Sequence, residues 1–181
     1  TVQADAIVIA TGSSWPNLPL FPVDGKHIIT SKEALDLGSV PKSLLIVGGG
    51  VEGCEFASLY SGLGTKVTVV EMMPQILPLE DEEIAAFMAR ELKKRGVELC
   101  TGTTVEKVER QPGALRATLK DGTVVEAEQI LVSVGRGFNS RGIGLEKAGV
   151  QVGKWGEILV NDRLETNVRG IYAIGDVVGQ A

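Results

Sequence analysis

The chain has 181 residues, a length that fits one domain of ordinary size with room for pieces of a second. Hydrophobic residues make up 44%, enough for a buried core, yet no apolar run reaches the ~18 residues needed to cross a bilayer. A net charge of -5 with scattered basic residues argues against a nucleic-acid surface, and two cysteines without a Cys-x-x-Cys pairing argue for a reducing compartment rather than a disulfide framework.

In chain order, residues 1–5 carry neither a basic stretch nor an initiator Met, and read as a cut into a longer protein rather than a leader. Residues 6–10 are a β-branched apolar run halted by Thr11-Gly12-Ser13, a short buried strand ending in a turn. Residues 15–30 contain Pro16, Pro19, Pro22 and Gly25 and read as a linker. His27, the lone histidine, has no second ligand near it, so no metal site is expected. Ser31 is a candidate N-cap for a short helix over 32–37, which Gly38 ends. Residues 44–47 form a second apolar strand that runs into Gly48-Gly49-Gly50. Residues 51–63 read as a helix with Phe56, Leu59, Tyr60 and Leu63 on one face and Gly64 at its end. Lys66–Glu71, rich in Val and Thr, completes a βαβ unit of about 30 residues.

Pro74 and Pro78 then break the chain. Asp81 caps a helix that runs to Arg95, with Ile84, Phe87, Met88 and Leu92 as its apolar stripe. Its acidic start, Asp81-Glu82-Glu83, and basic end, Lys93-Lys94-Arg95, suit the helix dipole. Residues 97–99 read as a third parallel strand. Residues 105–110, 115–120 and 124–127 read as an antiparallel meander, turned at Pro112-Gly113 and Asp121-Gly122. Residues 130–134 are a buried strand ending at Gly135. The remainder offers a short helix over 145–148, a strand over 158–160, and a last strand over 171–174 that ends at Gly175-Asp176. The sum is a three-layer α/β fold of the Rossmann-like kind: a parallel sheet, helices on one face, and a small antiparallel meander.

The chemistry centres on Gly48-x-Gly50-x-x-Gly53. Such a pattern is common by chance; its context here is what gives it weight. A strand precedes it, a helix follows, and Glu71 ends the next strand twenty-one positions after Gly50, against ~20 expected for a dinucleotide site. Gly48 permits the tight turn out of the strand. Gly50, without a Cβ, lets a pyrophosphate approach the backbone, and Gly53 lets the helix pack close to the sheet. The free N–H groups at the helix start, with the positive end of its dipole, would bind the phosphates. Glu71 can accept hydrogen bonds from adenosine ribose hydroxyls and would repel a 2′-phosphate. No Lys or Arg lies between Glu71 and Arg90 to attract one, so NAD is expected over NADP. Glu55, one turn into the helix, fits equally a solvated carboxylate and a place beside the nicotinamide half. The exits Ala10-Thr11-Gly12 and Gly175-Asp176 lie outside the βαβ unit and are candidates for a second nucleotide site.

Taken jointly and in order, these segments resemble the flavoprotein disulfide reductases over nearly the whole chain. Residues 7–12 resemble that family's "ATG" segment, residues 27–35 its crossover from an FAD to an NAD domain, and residues 48–57 the fingerprint of its dihydrolipoamide dehydrogenase branch. Val134-Gly135-Arg136 with Asn139 resembles a second turn of the family, and residues 166–176 its "T…YAIGD" motif. The resemblance implies that Gly48, Gly49, Gly50, Val51, Glu52, Gly53, Cys54 and Glu55 line NAD, that Glu71 holds its adenosine ribose, that Val105 flanks the adenine, and that Gly135 lies by the cofactor. Glu55 would stand near the contact between flavin and nicotinamide. Thr11, Gly12, Gly175 and Asp176 would form part of an FAD site, with Asp176 on the ribityl chain. Residues 1–41 would be the end of the first part of the FAD domain with the crossover, 42–137 the NAD-binding core with the meander, and 138–181 the return to the FAD domain.

Two departures stand out. Glu52 replaces an aliphatic residue of the family pattern and puts negative charge beside the pyrophosphate turn, which would weaken binding unless the side chain points to solvent. Gly137-Phe138 replaces the usual residues after Gly135-Arg136. The family's Cys-x4-Cys redox pair and its His-x4-Glu are both missing; Cys54 and Cys100 do not match, and read as buried small hydrophobes. The chain is therefore expected to supply no catalytic residue and to bind NAD without turnover. Its parent would be an FAD-containing homodimer in a 2-oxo acid dehydrogenase complex, acting on lipoyl groups in a cytoplasm or mitochondrial matrix. The alternatives are a mercuric reductase, a transhydrogenase or another NAD(P)H-dependent disulfide reductase of the family and, in a different class, a non-catalytic NAD-binding module.

Overall fold

Predominantly apolar runs such as residues 44–47 and 67–70 suit parallel strands covered on both faces, because neither side of such a strand meets water. The computed structural model, which describes residues 2–179, folds them that way. Its elements in chain order are β1 (Ile7–Ile9), β2 (Ser13–Ser14), β3 (Ile28–Ile29), α1 (Ser31–Ala34), β4 (Ser43–Val47), α2 (Val51–Gly62), β5 (Lys66–Glu71), α3 (Glu82–Lys94), β6 (Glu98–Thr101), β7 (Val105–Gln111), β8 (Ala114–Leu119), β9 (Val124–Ala127), β10 (Gln129–Val132), β11 (Gly137–Phe138), α4 (Leu145–Ala148) and β12 (Ile171–Ala173), followed by a 3-10 turn, Gly175–Val178. Among the described residues no helix is long and apolar enough to cross a membrane.

The chain divides into two compact units. The larger, residues 17–135, is built on a five-stranded parallel sheet in the order β3-β10-β4-β5-β6. One face packs on the helices through Ile46, Val67, Val69 and Leu131 with Cys54, Phe56, Ala57, Tyr60, Ala85 and Leu92. The other face packs on the antiparallel β7-β8-β9 meander, where Leu45, Val47, Val70 and Ile130 meet Leu115, Ala117, Leu119 and Val125. These are the three layers expected from the sequence.

Several expectations need correction. Residues 15–30 are not all linker: the Asp24 carboxylate accepts the backbone N–H groups of Lys26, His27 and Ile28, a tight turn that feeds Ile28 and Ile29 into the sheet as its edge strand. The short helix starts at Ser31 and stops at Ala34, and its N-cap is Thr30, whose N–H and hydroxyl both donate to the Glu33 carboxylate. In α2, Phe56 and Tyr60 are buried but Leu59 and Leu63 are exposed. The close approach at Gly53 sets a contact line through 53, 57 and 60, which turns Leu59 and Leu63 away. In α3 the buried line is Ala85 and Leu92 with Met88 and Ala89 against it, so Ile84 and Phe87 face out. Asp81 does cap this helix, accepting from Glu83 N–H at 2.9 Å. Cys100 is only half-buried.

The smaller unit comprises residues 1–16 and 136–181. It holds two parallel strands, β1 against β12, and an antiparallel pair, β2 against β11. A small core of Leu145, Val150, Ile158, Ala173, Val177 and Val178 supports them. The strand expected over 158–160 is reduced to a single bridge between Val152 and Ile158. With fewer neighbours to cover them, Ile7 and Val8 stay more than half exposed.

Candidate functional site

In the larger unit the strand order changes direction at β4: the chain steps from β4 through β5 to β6 on one side, and β10 and β3 lie on the other. Parallel sheets bind ligands in the crevice beyond the carboxyl ends of the strands at such a reversal. A cleft of about 490 Å³ lies there. Its floor is Val47, Gly48 and Gly50 after β4, with Val70 and Glu71 ending β5. Ser133, Val134 and Gly135 after β10 form one wall, and Thr103, Thr104 and Val105 another.

The three glycines of the turn do different work. Gly48 has φ of +106°, and a Cβ on it would overlap the Ser133 carbonyl. A Cβ on Gly53 would overlap the Gly48 carbonyl, so glycine there is what lets α2 sit against the turn. Gly50 is the contrary case: a Cβ would meet nothing within 4 Å, because its open side faces the cleft. Gly50 is also the N-cap of α2 and offers no side chain to its N–H groups. The first bond of the helix is Cys54 N–H to the Gly50 carbonyl, 3.0 Å. The N–H groups of Val51, Glu52 and Gly53 therefore stand outside the helical ladder, as polar groups awaiting an acceptor.

Glu71 is buried, 6% exposed. Its two carboxylate oxygens accept from Gly49 N–H (2.6 Å) and Met73 N–H (2.8 Å). The carboxylate is thus fixed across the glycine turn, and each oxygen keeps lone-pair capacity for a further donor. The apolar end of the cleft is made by Phe21, Met72, Met73, Pro78, Leu79 and Val105. On its wall Thr103 Oγ1 is buried and has no hydrogen-bond partner. A large apolar pocket with a few convergent polar groups suits a flat base joined to a sugar and an anion. Adenosine, ribose and pyrophosphate fit that donor and acceptor set; among the described residues no three His, Cys, Asp or Glu side chains come together to suit a metal ion.

The remaining sequence candidates are distributed unevenly. Glu52 is not among the residues lining the cleft; its carboxylate accepts from the hydroxyl of Ser133, which is one of them, at 2.8 Å. Val51, Cys54 and Glu55 border a separate shallow groove with Leu59, Ile84 and Met88. Glu55 is exposed. Cys54 is buried and donates to the Gly49 carbonyl at 3.4 Å. Burial, with lesser contributions from Glu71 and Glu55, pushes its thiol up to about 11, which keeps it protonated. Sequence reading missed Phe21, Thr103, Thr104, Ser133 and the two methionines. Met72 and Met73 directly follow Glu71 and could have been inferred from it, whereas Phe21 arrives from a loop with no motif.

In the smaller unit the parallel pairing of β1 with β12 brings the two polar exits side by side. The Ser13 hydroxyl donates to Asp176 Oδ2 at 2.5 Å, and the Arg136 guanidinium donates to Ser13 Oγ and its carbonyl. Arg136 also lies over the Trp15 ring, 4.3 Å from its centre. Asn139 pins the other exit, its backbone N–H on the Gly12 carbonyl and its Nδ2 on that of Thr11. Asp176 remains exposed, with its second oxygen free of these partners.

The model of a family described as pyridine nucleotide-disulphide oxidoreductase matches residues 1–181. The dihydrolipoyl dehydrogenase of Bacillus subtilis is 42% identical over 180 residues, covering 98% of this chain and 39% of that protein. The mitochondrial dihydrolipoyl dehydrogenase of Pisum sativum is 40% identical, over 98% of this chain and 36% of its own length. The crystal structure of LpdA from Mycobacterium tuberculosis superposes with a TM-score of 0.90 at 36% identity, covering 98% of this chain and 39% of that one. The chain thus spans under two-fifths of the length of these relatives.

Proposed function

Because the chain belongs to the pyridine nucleotide-disulphide oxidoreductase family, we propose that it is the NAD-binding segment of a dihydrolipoamide dehydrogenase. The observation that carries this reading is the pairing of a buried carboxylate, Glu71, with uncapped helix-start N–H groups across the Gly48–Gly50 turn. Phosphates would seat on the N–H groups of Val51, Glu52 and Gly53, adenosine between Val105 and the methionines, and the ribose hydroxyls on Glu71. Gly49 would complete the turn and Gly135 the far wall, while Val51, Cys54 and Glu55 would face the nicotinamide half. A 2′-phosphate would meet the Glu71 charge with no cation among the residues lining the cleft, so NAD is preferred to NADP.

Thr11, Gly12, Gly175 and Asp176 would hold part of an FAD, Asp176 through its unengaged oxygen. In this reading residues 1–41 and 138–181 are the FAD-domain parts and 42–137 the NAD-binding core, with Phe21 and β3 of the first part lent to the NAD-binding unit. FAD and a redox disulfide supply the electron-transfer chemistry in such an enzyme; this chain's residues bind and orient the dinucleotide. The parent would be a homodimer serving a 2-oxo acid dehydrogenase complex, with lipoyl groups as substrate, in a cytoplasm or a mitochondrial matrix.

Calorimetric titration of the chain with NAD and then NADP tests the reading: NAD should bind and NADP should bind more weakly. An NAD-linked dihydrolipoamide assay on the same chain should show no turnover. Absence of NAD binding, or robust turnover, would overturn it.

A further inference from the structure

Glu52 is the second residue of α2, the helix whose uncapped start faces the cleft. It is only partly exposed, and its carboxylate accepts from Ser133 Oγ at 2.8 Å. Ser133 is itself anchored: it is 6% exposed, its N–H donates to the Val47 carbonyl at 2.8 Å, and its own carbonyl backs against Gly48. The negative charge is therefore tied to one wall residue of the cleft, the one whose carbonyl packs on the turn. Among the described residues Glu52 forms no salt bridge, and the residues lining the cleft include no Lys or Arg.

We infer that Glu52 is an affinity-determining residue that weakens the hold of this turn on diphosphates. The inference rests on the dinucleotide reading above. Two effects act in the same direction. The carboxylate cancels part of the positive field at the start of α2, and it repels an anion arriving at the Val51–Gly53 N–H groups. Both scale with the charge of the ligand, so Glu52 disfavours phosphate-bearing ligands and is indifferent to an uncharged nucleoside in the same cleft.

Glu52→Gln keeps an acceptor for the Ser133 hydroxyl and removes only the charge. The full chain and this variant would be titrated with NAD, ADP and adenosine at low salt and again near 1 M salt. At low salt the variant should bind NAD and ADP about two- to fivefold more tightly, the advantage should vanish at high salt as screening shortens the reach of the charge, and adenosine should bind both proteins alike. Ser133→Ala, which frees the carboxylate to turn outward, should recover part of the gain. Equal or weaker NAD binding by Glu52→Gln, or an equal gain for adenosine, would overturn the role of Glu52 and leave the dinucleotide reading standing. No binding of NAD by either protein would overturn both.

Discussion

In residues 17–135 the polar groups at the strand ends are held from behind: a five-stranded sheet is covered on both faces, and the carboxylate of Glu71 is fixed by two backbone donors. In residues 1–16 and 136–181 the polar exits rest on paired strands that leave Ile7 and Val8 exposed, and the exposed carboxylate of Asp176 is held by one hydroxyl and a long Arg136 ion pair. Both regions present a glycine and an acid at the end of parallel strands, so the motif alone does not distinguish them. Backing does. A site whose groups are already fixed loses little freedom on binding, whereas one built on two strands depends on further surface to order it.

The strongest way to break this contrast is at Gly53. Gly53→Ala forces a Cβ into the Gly48 carbonyl and should cost about 3 kcal/mol in a denaturant titration. An unchanged midpoint would mean that the turn yields and is not the rigid cradle described. Next comes the seal around Cys54. With its thiol at about 11, roughly one molecule in a thousand is thiolate at pH 8. Alkylation at that pH should be about a hundredfold slower than for a free thiol, and the stabilising effect of the neutral thiol, complete below the ordinary value near 9.0, should fade as pH rises towards about 11. Rapid labelling of Cys54 at pH 8 would contradict a closed interior.

Glu71→Ala should lower both stability and NAD affinity by about 1–3 kcal/mol, because it strands the Gly49 and Met73 N–H groups and removes the acceptor proposed for the ribose. Loss of one without the other would separate the structural role from the binding role. Thr103→Val removes a hydroxyl that has no partner, so the ligand-free chain should melt no lower, and by up to about 1 kcal/mol more favourably. A clear loss of stability would show that the hydroxyl has a partner after all. The smallest effect is expected in the other unit. Asp176→Asn should change stability by under about 0.5 kcal/mol, since the Arg136 pair is 3.7 Å apart and its carboxylate is 62% exposed. A larger loss would erase the difference between the two regions.

The layers, the βαβ unit and the meander were legible because each rests on local signals: apolar runs, glycine at turns, an acid at a strand end. Gly48, Gly50 and Glu71 were legible for the same reason, and fall on one cleft. What escaped was decided across the chain. Ile28 and Ile29 became a strand because Asp24 bends the loop and β10 offers an edge, neither visible in a proline-rich stretch. Leu59, Leu63, Ile84 and Phe87 follow helical spacing, yet the faces that pack were chosen by the small residues Gly53, Ala57 and Ala85. Glu52 was visible as an odd residue; only the fold supplied Ser133, eighty-one positions away, to hold it.

Val105 belongs to two things at once. It is buried in the core between sheet and meander, and it lines the cleft where β7 begins. Thermodynamic linkage follows: a change in that layer that loosens Val105 reshapes the cleft, and a ligand seated there tightens the layer in return. The meander would then act as a clamp on a ligand in the cleft as well as a lid on the core, and substitutions of Leu115 or Ala117, which do not line the cleft, should still register in how firmly one is held.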